Sequence, residues 1–259
     1  MNWWGKILGG AFGMMLGGPI GALLGVVLGH NFDKGLNTSS SNEGDFGRQE
    51  RIQTLFYTTT FSVMGHVCKA DGQVTEDEIA LAKSIMHQMD LNADQQRAAI
   101  SLFNEGKKDT FPLLDIIQQF RHELGFRPNL LRMFVEIQIM AAYADGVMHP
   151  AERGVLLKIC QLLSVSKHEF EHLCAMFSGQ SGATQQTTIL SLQQAYAVLD
   201  IDESADESDI KRAYRRLTSQ HHPDKLVAKG LPEEMMKIAT ERTHEIRQAY
   251  EIIKKAKGF

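Results

Sequence analysis

From Ile7 to Gly29 the chain carries no acidic or basic residue, and across those 23 residues glycine recurs at every fourth position: Gly9, Gly13, Gly17, Gly21, Gly25 and Gly29. A helix of that length is about 33 Å long, enough to cross a bilayer's hydrocarbon core. Trp3 and Trp4 stand where an interfacial aromatic belt would lie. Residues 7–29 are therefore expected to be a single transmembrane helix, with residues 1–6 as a short external tail. On a helix the six glycines form one slowly turning ridge without side chains. A second helix can approach such a ridge until the backbones touch, gaining van der Waals contact and weak Cα–H···O bonds. Self-association through this face is expected, with Pro19 a candidate kink. A cleaved signal peptide would need a basic leader, a shorter apolar core and a small-x-small cleavage site. Lys6 is the one preceding lysine, and Leu28-Gly29-His30-Asn31 offers no such site.

The full chain of 259 residues has room for one or two globular domains besides the anchor. Net charge is −4 without a long run of one sign, so a nucleic-acid-binding surface is unsupported. Cys68, Cys160 and Cys174 are far apart in apolar contexts, without metal-ligand spacing, and suit a reducing compartment. Many Ala, Leu, Ile and Met residues and almost no period-two alternation point to an all-α body. Residues 30–47 read as a tether. Residues 178–190, rich in Gly, Ser and Gln, read as a flexible linker.

Between them, residues 48–177 carry patterns for about seven helices. One starts at Arg127-Pro128, and another at the capping pattern Thr75 to Glu78. The segment repeats itself at an offset of 74: Ala70-Asp71-Gly72 matches Ala144-Asp145-Gly146, Glu78 matches Glu152, Ile85 matches Ile159 and Phe103 matches Phe177. Each copy reads as helix, Asp-Gly turn, helix. Asp71, Glu78, Asp145 and Glu152 could converge as oxygen ligands on Ca²⁺ or Mg²⁺. The simpler reading is structural, since Asp-Gly closes a turn and Glu suits a helix's first turn. No metal is expected. His66, His87, His122, His168 and His172 sit at no ligand or triad spacing and read as surface or core residues.

In the last seventy residues, Ile210, Ala213, Tyr214 and Leu217 make one apolar helix face, and Ile246, Ala249, Tyr250 and Ile253 make another. Lys211, Arg212, Arg215 and Arg216 form a basic band largely off the first stripe. Asp206 or Ser208 can cap that helix, and Pro223 is expected to end it. Two antiparallel helices would then present His222-Pro223-Asp224 in the connecting loop.

These residues carry a resemblance. Residues 191–259 look like a J domain, the module that binds DnaK-type chaperone ATPases. The match runs through Ala195 to Leu199, Ile210 to Leu217, His222-Pro223-Asp224-Lys225 and Gln248 to Glu251. It departs at Leu226 to Pro232, where many J domains are shorter. Gly/Phe-rich and Cys-x-x-Cys segments are absent, so capture of unfolded clients is not implied. The middle segment resembles TerB-like helical domains. From end to end the chain resembles membrane-anchored DnaJ-like co-chaperones of bacterial inner membranes.

That resemblance implies a non-enzymatic activator of a partner ATPase, without a cofactor and linked to envelope-directed signalling. Its docking residues would be His222, Pro223, Asp224, Lys211, Arg212, Arg215, Arg216 and Lys225. Because the partner needs ATP, the N-terminus is expected in the periplasm and the bulk of the chain in the cytoplasm. Flanking charges alone, with Lys34, Arg48 and Arg51 mixed among Asp33, Glu43, Asp45 and Glu50, orient the span only weakly. Two rival readings are a signalling scaffold, whose middle domain binds a membrane sensor and whose J domain only recruits DnaK, and a pore-forming oligomer of the glycine-rich helices.

Overall fold

The apolar periodicity at three and four residues builds helices throughout, and no strand occurs among the described residues. The computed structural model describes residues 17–25, 45–70, 72, 80, 82–83, 85–86, 91–125, 127–143, 146–178, 191–232 and 235–259. Helix α1 covers residues 17–25. The middle domain holds α2 (Asp45–Cys68), helical residues between 80 and 86, α3 (Ala93–Gly106), α4 (Leu113–Leu124), α5 (Pro128–Ala142), α6 (Pro150–Leu163) and α7 (Lys167–Ser178). The C-terminal domain holds α8 (Leu192–Leu199), α9 (Glu207–His221), α10 (Pro223–Ala228) and α11 (Met236–Lys257).

No described helix is long and apolar enough to cross a membrane. Of the expected span only residues 17–25 are described; Gly9, Gly13 and Gly29 lie outside the described residues. This placement differs from the lipid-spanning helix expected for residues 7–29: on α1, Ile20 and Leu23 are buried with the middle-domain core. The Ile20 N–H donates to Gln119 Oε1 at 2.9 Å, and Gln119 Nε2 donates to the Gly17 carbonyl. A Cβ at Gly17 would meet nothing within 4 Å. Helix α2 begins at Asp45, inside the stretch expected to be tether.

The middle domain is built around α2. Phe56 on α2 packs against Phe120 of α4 and Phe134 of α5, with ring centroids 5.9 and 6.3 Å away, and the latter two lie 4.7 Å apart. Each such aromatic removes a large apolar area from water and adds about 0.5–1.5 kcal/mol through ring geometry. Against α3 the helix comes closer still. A Cβ on Gly65 would sit 2.0 Å from the Phe103 carbonyl oxygen, and one on Gly106 would sit 1.7 Å from that of Ser62. Glycine is therefore obligatory at this crossing, because backbone lies directly where a side chain would start.

Helix α5 starts with Arg127 as its N-cap and Pro128 in the first turn, as the sequence predicts. The glycines of the two Asp-Gly pairs share one backbone geometry. Gly72 and Gly146 both have φ of +95°, and their N–H groups donate to Lys69 O at 2.9 Å and Tyr143 O at 3.0 Å. Those acceptors are themselves offset by 74, which extends the internal repeat into the backbone. The Thr75 to Glu78 start, like Asp71 and Asp145, lies outside the described residues.

A second core unites the C-terminal domain: Ala195, Tyr196, Val198 and Leu199 of α8, Ile210 and Leu217 of α9, and Ile246, Ala249 and Ile253 of α11. Tyr214 and Tyr250 stack at 4.2 Å and 18° and tie α9 to α11. A capping box of Ser191 and Gln194 starts α8, and Asp206 starts α9 by accepting from the Asp209 N–H at 2.8 Å. Of the two candidate caps, Asp206 is the one at the N-cap position.

Candidate partner-docking site

Helix α9 buries Ile210, Ala213 and Leu217, so the residues between them turn outward. Lys211, Arg212, Arg215 and Arg216 are all exposed. They are held in an ordered array rather than left as a loose cloud of charge. Lys211 pairs with Glu207, Arg212 with Asp209 at 3.1 Å and Arg216 with Asp200 at 3.4 Å. Arg215 Nε donates to the Lys211 carbonyl at 3.2 Å. These exposed pairs add little stability. The three paired cations remain exposed beside their carboxylates.

The band runs into the motif. His222 caps the end of α9 in an extended conformation and also precedes α10, with Pro223 in that helix's first turn. Pro223 therefore ends one helix and starts another, where the expected element was a plain loop. Proline's fixed φ and missing N–H cost nothing at a first helical position. Asp224 and Lys225 are exposed, while His222 and Pro223 are half-buried. The Leu226 N–H donates to the His222 carbonyl at 3.0 Å, Lys225 Nζ donates to Ser219 Oγ at 2.7 Å, and the Thr243 hydroxyl donates to the His221 carbonyl at 3.0 Å. The result is a rigid corner with one carboxylate and a flanking row of cations directed to solvent.

Of the residues weighed as cation ligands, Glu152 is the one among the described residues. Glu152 is buried, and its Oε2 accepts from the His149 N–H at 2.8 Å, closing the start of α6. Asp71, Glu78 and Asp145 lie outside the described residues. Among the described residues no group of three His, Cys, Asp or Glu side chains could hold a metal. None of the three cysteines forms a disulfide, and all are buried. Burial pushes the Cys160 thiol up to about 12 and the Cys174 thiol up to about 11, so neither is a thiolate near neutral pH.

Two histidines gain contacts the sequence did not indicate: His221, which drew no notice, and His172, which was read as a surface or core residue. Buried His221 has Nε2 3.7 Å from Glu136 Oε1 of the middle domain. Burial opposes the Glu136 charge, but His221, Arg242 and Arg132 outweigh it and hold the carboxyl below its usual range. Burial holds the His221 imidazole below its ordinary value against the pull of Glu136. His172 Nε2 lies 2.7 Å from the Ala197 carbonyl oxygen and 3.3 Å from Asp200 Oδ1. The signal available was thin, since a histidine beside the motif looks like part of it.

The geometry is that of two helical domains packed together, and comparison with known proteins assigns each part of the chain. The Co-chaperone DjlA transmembrane domain matches residues 1–41, the Tellurite resistance protein TerB family matches residues 58–175, and the DnaJ domain matches residues 194–258. Co-chaperone protein DjlA of Vibrio parahaemolyticus is 46% identical, that of Escherichia coli 45% and that of Yersinia pestis 44%, each with all of both chains covered. The chain belongs to the DjlA family of co-chaperones, and it combines a membrane domain, a TerB domain and a J domain. No solved structure matches it.

Proposed function

We infer that the protein is a membrane-anchored regulator of a DnaK-type chaperone ATPase. It docks on that ATPase through its J domain and stimulates ATP hydrolysis at the bacterial inner membrane, with its N-terminus periplasmic and its bulk cytoplasmic. The observation that carries this reading is the continuity of the exposed cationic face of α9 with the His222-Pro223-Asp224 corner on a J-domain frame. An array of oriented cations steers a negatively charged partner and sets the association rate. Asp224 offers a carboxylate to an arginine of the partner. The corner then binds the hydrolysis-competent state of the ATPase more tightly than its resting state, which is how a non-catalytic ligand shifts such an equilibrium. Family membership supports the co-chaperone role, and its link to envelope-directed signalling is part of the same reading.

Reversing the charge of Arg215 and Arg216 together to glutamate tests the docking face. Both side chains are exposed, so the J-domain core is untouched. The expected result is an association rate roughly tenfold lower at low salt, with a flatter salt dependence and little change in dissociation. Stopped-flow binding at several salt concentrations measures it. An unchanged low-salt rate would assign docking to another face.

The reading also makes the protein a pair, joined through the glycine ridge. Replacing Gly17 and Gly21 with leucine should preserve insertion, because leucine is the more favourable residue in lipid. It should also hold two facing backbones apart and abolish self-association. Crosslinking in membranes separates the cases: a double variant that pairs as well as the parent removes the ridge as the interface.

A further inference from the structure

The expected linker between the TerB and J domains lies, from residue 179 to 190, outside the described residues, and the two domains are packed together. Leu226, Leu231, Met235 and Ala239 are buried in the middle-domain core and take no part in the J domain's own core. Gly230, at φ +107°, lies so close to α2 that a Cβ there would come within 2.4 Å of Ile52 Cγ2 and 3.9 Å of Leu130 Cδ1. Gln53 Nε2 donates to the Leu231 carbonyl at 3.4 Å. Beside this seat His221 faces Glu136, and the Arg242 guanidinium lies 6.0 Å from the centre of the Phe177 ring. At the far end His172 contacts the Ala197 carbonyl.

These contacts bracket the motif. His221 precedes it and Leu226 follows it, and both are buried against the TerB domain. Without the seat, Leu226 and Leu231 would be exposed, and the Leu226 to Pro232 stretch would lose the packing that fixes it. That stretch is the segment in which the sequence departs from commoner J domains. A partner meeting a loosened corner would have to order it on binding, which lowers affinity without new contacts. The cationic face of α9 stays exposed while the seat is occupied.

We propose that the TerB domain is a seat that pre-organises the His222-Pro223-Asp224 corner for the ATPase, with Ile52, Leu130 and Glu136 as positioning residues. The proposal rests on the reading of that corner as the ATPase trigger. Ile52→Asp places a carboxylate against Gly230 and Leu231. A second variant, Gln53→Ala with His172→Ala, removes half-buried contacts at the rim and leaves the buried core unchanged. In the full chain in nanodiscs, amide hydrogen exchange at Leu226, Gly230 and Leu231 should accelerate at least about tenfold in both variants. Exchange at Ile210, Leu217, Ala249 and Ile253 should not change. The concentration giving half-maximal ATPase stimulation should rise about tenfold while maximal stimulation stays within about twofold. Unchanged exchange in the rim variant overturns the seat. Faster exchange with an unchanged half-maximal concentration overturns pre-organisation, and increased stimulation would make the TerB domain a brake. A parent chain that does not stimulate at all defeats the functional reading itself, and the exchange data then report separately on whether the seat exists.

Discussion

Replacing His222 with glutamine is expected to abolish stimulation of the partner ATPase while leaving the J domain folded. The imidazole makes no capping hydrogen bond at the start of α10. The corner is held instead by backbone and neighbouring groups: Leu226 N–H to His222 O, and Thr243 Oγ1 to His221 O. Glutamine keeps comparable bulk and polarity at a half-buried position, so the substitution alters what the corner offers a partner more than how the corner is built. Loss of at least tenfold in stimulated rate is expected, about 1.4 kcal/mol of lost transition-state stabilisation. Single-turnover hydrolysis reads the rate and circular dichroism reads the fold. A folded variant with near-parental stimulation would remove His222 from the mechanism.

The largest effect on stability is expected at the crossing of α2 and α3. Gly106→Ala adds one carbon 1.7 Å from the Ser62 carbonyl oxygen, and Gly65→Ala adds one 2.0 Å from that of Phe103. Neither neighbour is a flexible side chain that can swing away. The two helices must part along their length, opening the packing around Phe61, Met64 and Leu102, all buried. A cost of about 3 kcal/mol or more per substitution is expected, at the upper end of overpacking penalties. For a chain of this size that lowers the melting temperature by roughly 10 °C. Gly154→Ala is the control, since its Cβ would meet nothing within 4 Å. Thermal denaturation of the three variants side by side makes the comparison. Parental stability in Gly106→Ala would mean that α2 and α3 do not cross as closely as described.

Much of the J domain was legible because its information is local. The apolar stripe of α9, its two candidate caps Asp206 and Ser208, and its outward cations follow from residues within one or two helical turns of each other. The pairing of Gly72 with Gly146 was legible for the same reason, and the two share one φ. Pro223 was read only as a stop, although the same fixed φ that ends α9 suits the first turn of α10. Gly65 and Gly106 received no role, because a glycine's reason for being in a helix is the backbone facing it, and that backbone lies about forty residues away in the sequence. The four-residue glycine rhythm of the anchor drew attention to close helix approach in the membrane, while Gly65 and Gly106 mark a close crossing inside the TerB domain. Glu136 and His221 are 85 positions apart, and their meeting depends on how two domains pack. Linker composition cannot report that packing, since flexible residues permit docking as readily as separation.

The central claim is that this chain activates a DnaK-type ATPase through an oriented corner. It is tested most directly by single-turnover ATP hydrolysis on such an ATPase with the full chain in nanodiscs, run across a series of protein concentrations. The expected result is a saturable acceleration of at least about tenfold, lost on His222→Gln and shifted to higher concentration by raised salt. A hydrolysis rate that stays at its basal value at every concentration, while binding to the ATPase is still detected, would contradict it and leave the J domain as a recruiting surface alone.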